Sequence, residues 1–198
     1  STPIKSSAAS DVYKRQLYTN VSIKKTGYVE VMPGQQIRYD FSGIGNNSTT
    51  SLTSFYWRDT LPTQAVRLDK IITGTYNVPG NYKVVYQTNL SGGTWRTMYD
   101  NLSTMQNYTL DASPAALGLA SNEYVTQFMV SFGVVPSNFR QVEAPRVYCN
   151  VVSWLTGGTQ FVNQADVGGV YDGQWIMATS RWVTKVYKPS EPLPRTGY

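Results

Sequence analysis

Ser51-Leu52-Thr53-Ser54-Phe55-Tyr56-Trp57-Arg58-Asp59-Thr60-Leu61-Pro62 anchors the reading of the whole chain. Alternate residues of a strand share a face, so Phe55, Trp57, Asp59 and Leu61 line one side. Pro62 stops the run, because it has no N–H to give to a ladder. An aspartate on an apolar face needs a reason, since a charged residue is rarely fully buried without a partner.

The same two-residue period recurs on both sides, broken by turn residues, and no long helical period appears. Strand-like runs cover residues 21–25, 28–32, 36–41, 66–75, 81–88, 94–99, 123–135, 146–155, 160–171 and 175–187. Gly43 to Thr50 reads as a polar loop, and the Ala- and Leu-rich stretch 113–122 has room for one helical turn. Gly157-Gly158 and Asp172-Gly173 read as hairpin turns. Ten or eleven strands at this spacing predict an all-β protein, an antiparallel Ig-like sandwich. Residues 17–188 form one domain in this reading, followed by an extended Pro-rich tail over 189–198. The expected inward residues include Ile23, Phe55, Trp57, Leu61, Phe128, Val130, Phe132, Val147, Val151, Phe161 and Val167.

Composition narrows the chemistry. The 198 residues include no His, one Cys, 15 Tyr and 5 Trp, and only 15% are charged. This is a β-rich, extracellular composition. Without His, no Ser-His-Asp or Cys-His site can be built, and the commonest metal ligand is missing. Cys149 has no disulfide partner in the chain and is in phase with Val147 and Val151, which predicts a buried, inert thiol. The net charge of +5 is scattered, without the clustered basic face that nucleic acid requires. No acid-rich loop points to calcium. The few carboxylates form no recognisable glycosidase pair, so no turnover enzyme, cofactor or metal site is expected.

Leu193-Pro194-Arg195-Thr196-Gly197 resembles the LPxTG sorting signal of Gram-positive surface proteins. It follows the spacer Lys188-Pro189-Ser190-Glu191-Pro192, where an extended segment belongs. The resemblance implies a sortase as partner, cleavage between Thr196 and Gly197, and covalent transfer of Thr196 to peptidoglycan. Sortase substrates usually carry a leader and a membrane-spanning tail. No run here approaches the roughly 20 apolar residues that span a bilayer, and the chain therefore reads as a fragment. Asp11-Val12-Tyr13-Lys14-Arg15-Gln16 resembles the translation of a transposon end sequence used in library preparation, so residues 1–16 are read as a non-native or disordered leader.

Two further segments are similar to the DUF11-type repeat domain of bacterial surface proteins, an Ig-like sandwich. The first runs Ile23-Lys24-Lys25-Thr26, then Val31-Met32-Pro33-Gly34-Gln35-Gln36-Ile37-Arg38-Tyr39, then Trp57-Arg58-Asp59-Thr60-Leu61-Pro62. The second is Gly158-Thr159-Gln160-Phe161-Val162-Asn163-Gln164-Ala165-Asp166-Val167, like a closing strand. The middle, about 77–138, departs from the pattern. Related pilin and adhesin domains carry a self-formed Lys–Asn isopeptide bond between first and last strands, assisted by a buried acid. Side-chain phase selects Lys25 (with Val21 and Ile23), Asp59 (with Trp57 and Leu61) and Asn163 (with Phe161 and Ala165). Lys24 and Glu123 are the reserve lysine and acid. A turn cap for Asp59, a bulge contact for Asn163 and a snorkelling Lys25 are the bland alternatives. A separate reading is a host glycan or protein ligand held by loop aromatics, with Trp95, Trp154, Trp175 and Trp182 as candidates.

Overall fold

The computed structural model describes residues 16–189. The sorting signal Leu193–Gly197 and all of the leader except Gln16 lie outside the described residues. Within them are twelve strands and one short helix: β1 (Val21–Thr26), β2 (Glu30–Val31), β3 (Gln36–Asn46), β4 (Leu52–Thr60), β5 (Val66–Ile72), β6 (Asn81–Thr88), β7 (Arg96–Ser103), β8 (Thr109–Asp111), α1 (Pro114–Leu117), β9 (Val125–Val135), β10 (Arg146–Val151), β11 (Gln160–Tyr171) and β12 (Gln174–Val186). They form a five-stranded sheet, β1-β3-β10-β5-β8, and a seven-stranded sheet, β2-β12-β11-β4-β9-β6-β7. All pairs are antiparallel except β2 with β12. The architecture is the expected all-β sandwich, and no helix among the described residues is long and apolar enough to cross a membrane.

Local chemistry explains the turns. Asp172 and Gly173 both have positive φ, 49° and 72°, which a two-residue hairpin between right-twisted strands demands. They join β11 to β12 as expected. Gly157-Gly158 is not a hairpin turn. β10 lies in one sheet and β11 in the other, so this loop crosses the sandwich. Glycines mark where a chain turns, not which strands it then pairs. The single helical turn of α1 starts at Ser113, whose hydroxyl accepts from the Ala116 N–H, and Pro114 sits at its first turn. The loop expected over 43–50 is shorter than read. β3 continues to Asn46 because β1 pairs alongside it, Val21 opposite Asn46, and because Ile44 is buried. β8 was also missed, being only three residues long.

The core lies between the sheets. Phe55, Trp57, Leu61, Phe128, Val130, Val147, Val151, Phe161 and Val167 are buried, while Ile23 and Phe132 pack partly exposed against them. Each such large apolar side chain contributes about 1.5–3 kcal/mol relative to exposure. Among the described residues Trp57 is the largest that is fully buried, and its Nε1–H donates to the Tyr76 hydroxyl at 3.0 Å. Cys149 is buried and unpaired by disulfide, and burial pushes its thiol pKa well up, which makes it inert.

Candidate functional site

Register brings the site together. On β4 and β11, Asp59 lies opposite Ala165. Asn163 is two residues further along β11, so it shares the inner face with Asp59 as a diagonal neighbour. β1 belongs to the other sheet, with Lys25 opposite Phe41 of β3. Lys25 therefore reaches across the interior. Its Nζ lies 2.7 Å from Asp59 Oδ2, and both side chains are wholly inaccessible. Asn163 is also completely buried. The backbone N–H of Lys25 donates to Ser180 Oγ of β12 at 2.9 Å, which holds β1 against the edge of the larger sheet.

Aromatic rings close the site. The Lys25 Nζ lies 4.3 Å from the Tyr39 ring centre and 4.5 Å from that of Phe41. Gly27 is what admits Tyr39: a Cβ there would stand 2.7 Å from the Tyr39 ring and 3.0 Å from Trp182. Tyr39 and Phe41 are the site residues the sequence reading missed. They are in phase along β3, and Tyr39 also ends the segment that resembles the repeat domain.

Burial dominates the electrostatics. It pushes the Lys25 pKa down, against the opposing pull of the Asp59 charge and hydrogen bond. It pushes the Asp59 carboxyl up, with Lys25 and then Asn163 pulling the other way. Both neutral forms gain from desolvation. The Tyr39 hydroxyl is also pushed up by burial, partly offset by Asn163 and Thr184. Asn163 is thus near enough to act on both Asp59 and Tyr39, but neither its Nδ2 nor its Oδ1 makes an aligned hydrogen bond. Asp59 Oδ1 and the Tyr39 hydroxyl are likewise unpartnered. Buried polar groups are normally satisfied, so four orphan atoms in one place mark an unusual site.

The other sequence candidates separate from this one. Lys24 is exposed on the opposite face of β1, as alternation dictates. Glu123 is not a core acid: it precedes β9, accepts from Thr88 at 2.6 Å and pairs with Arg96 at 2.9 Å. Asn163 lies on the penultimate strand, not the last, because the β12 hairpin follows it. The tryptophans also divide. Trp182 donates to the Tyr28 carbonyl at 2.9 Å and packs against the core. Trp154 is 69% exposed beside Arg67. Trp95 and Trp175 line one cleft on the outer face of the seven-stranded sheet.

The chain matches no protein-family model and no curated protein. Among solved structures it is similar to a cohesin module from a Clostridium perfringens family 33 glycoside hydrolase, with 12% identity, 86% of this chain and 99% of that one covered, and a TM-score of 0.41. It is also similar to the collagen-binding domain of a Staphylococcus aureus adhesin, with 13% identity, coverage of 82% and 99%, and a TM-score of 0.34. The major subunit of type I aggregative adherence fimbriae of Escherichia coli gives 11% identity, coverage of 85% and 95%, and a TM-score of 0.33. These are loose likenesses, and none defines a family for this chain.

Proposed function

We propose that this domain is a surface-displayed structural module of adhesin or pilin type, whose two sheets are tied by an isopeptide bond between Lys25 and Asn163. The observation that carries the reading is the buried Lys25–Asp59 contact beside an asparagine amide with no hydrogen-bond partner. Proton transfer within the pair leaves Lys25 as a neutral amine and Asp59 as a carboxylic acid, the forms that burial favours. The Lys25 Nζ lone pair then attacks Asn163 Cγ. Asp59 donates its proton to the carboxamide, and the Tyr39 hydroxyl can steady the charge developing on Oδ1. The C–Nδ2 bond breaks, ammonia leaves with a proton that began on Lys25, and Nζ becomes an amide nitrogen. Packing supplies the proximity that makes such a reaction effectively unimolecular.

The bond joins the two sheets covalently, in a domain whose single cysteine cannot form an internal disulfide. The event happens once per chain, so the domain is a product of its own chemistry and not a turnover enzyme. In the same proposal the domain belongs to a wall protein, which the DUF11-type likeness of its sequence supports, and the Leu193–Gly197 signal makes it a sortase substrate, joined to peptidoglycan through Thr196. Intact mass spectrometry tests the central claim. The purified domain should weigh one ammonia less than its sequence, and fragmentation should yield a branched peptide holding Lys25 and Asn163. A full sequence mass would overturn it. Incubation with a sortase and an amine nucleophile tests the anchoring separately, with a product ending at Thr196 expected.

A further inference from the structure

The outer face of the seven-stranded sheet carries a second feature. Cross-strand register sets Met177, Gly168, Tyr56, Ser131 and Lys83 in one row across β12, β11, β4, β9 and β6. Gly168 has no side chain, and the Tyr56 ring lies over it: a Cβ there would meet that ring at 2.8 Å. Tyr56 thus leans toward β12, where Trp175 meets it edge-on at 5.9 Å. Ser131, on the other side of Tyr56, is small. The result is a cleft of about 340 Å³, lined in part by Tyr56, Arg58, Trp95, Ser131, Trp175 and Met177. Small-molecule clefts run from about 300 to 1,000 Å³.

The charge in the cleft is already spent. Arg58 is paired with Asp166 at 3.0 Å, and Asp166 also accepts from Thr179 at 2.6 Å. Lys83, next along the row, lies over an adjoining hollow. The lining therefore offers aromatic faces and the hydroxyls of Ser54 and Ser131, without net charge. A ligand with apolar faces and uncharged hydroxyl edges fits that inventory, whereas a phosphate or carboxylate finds its cation taken.

We propose that this cleft binds a neutral hexopyranose unit of a glycan, with a sugar face stacked on Trp175 and ring hydroxyls bonded to Ser54 and Ser131. The site lies on a sheet face, with Trp95 added from the connection before β7, and it stands independently of the cross-link. Trp175 is 55% exposed, so its removal leaves the fold intact. Saturation-transfer NMR with methyl glycosides of glucose, galactose, mannose and N-acetylglucosamine tests the idea, with glucuronate, sialic acid and a proline-rich peptide as alternatives. At least one neutral glycoside should bind. Its affinity should fall roughly tenfold, equivalent to about 1.4 kcal/mol, in Trp175→Ala and stay unchanged in Trp154→Ala. No binding of any neutral glycoside, binding of the anionic sugars or peptide alone, or equal loss in both variants would overturn it. Intact mass of the same sample reads the cross-link independently, so failure of either proposal is visible apart from the other.

Discussion

Strand β4 places two acid–base pairs back to back. Outward, Arg58 meets Asp166 at 3.0 Å, and inward, one residue on, Asp59 meets Lys25 at 2.7 Å. The outer carboxylate is surrounded by donors: Thr179, Arg58 and Gln164 all reach it. Those bonds outweigh its burial and hold its pKa below the ordinary 3.8. The inner carboxylate has Lys25 and a free Oδ1, and desolvation wins, so its pKa rises. Adjacent residues on one strand thus have opposite fates. Pairing alone therefore does not set a buried charge's behaviour; depth of burial and the number of hydrogen bonds to the charged form do.

The largest expected effect comes from breaking the inner pair. Lys25→Ala removes the proposed bond and leaves Asp59 buried and alone. A constraint over a loop of more than about 100 residues is worth about 5 kcal/mol in the disulfide case. The cavity left by the lysine stem costs about 2–5 kcal/mol more. Calorimetry should therefore show a far lower melting temperature, or no folding. The double variant Lys25→Met/Asp59→Leu keeps volume without charge. It should fold, lack the cross-link by mass, and melt between Lys25→Ala and the parent. A double variant as unstable as Lys25→Ala would refute the separation of the two terms.

Breaking the outer pair should do less and should show in pH. A depressed folded pKa makes Asp166 stabilising above its unfolded value near 3.8, and that contribution is lost as pH falls through the folded value. Asp166→Asn should lower the melting temperature at neutral pH, and its curve should converge on the parent curve in acid. Melting curves from pH 7 downward that stay parallel would refute this. The smallest effect on stability belongs to Tyr39→Phe, which removes a hydroxyl that already lacks a hydrogen-bond partner. Its melting temperature should match the parent once cross-linked. Cross-link formation, followed by mass after refolding, should be slower if Tyr39 steadies the developing oxyanion.

Much of this arrangement was legible in the sequence, for a physical reason. Strand alternation is local, so Phe55, Trp57 and Leu61 fix the inner face of β4 and carry Asp59 inward with them. The same logic chose Lys25 over the exposed Lys24, and set Asn163 beside Phe161 and Ala165. It failed for Glu123. That residue sits in a turn before β9, where the two-residue period no longer holds, and it finds Arg96 and Thr88 instead. It also failed to extend β3 to Asn46, because pairing with β1 is a long-range event.

Local sequence was enough to place most of the inward residues and the turns, and to exclude an internal disulfide and a histidine-based site within these 198 residues. The packing of distant strands was needed to bring Lys25 to Asp59 from the other sheet, to close Tyr39 and Phe41 over it, and to leave Asn163 without a hydrogen bond. It also decided that Trp95 and Trp175, far apart in the chain, share one cleft. Side-chain phase follows from the backbone geometry of neighbouring residues, whereas contact across the sandwich depends on strand order and register, which hydrogen bonds between distant segments set.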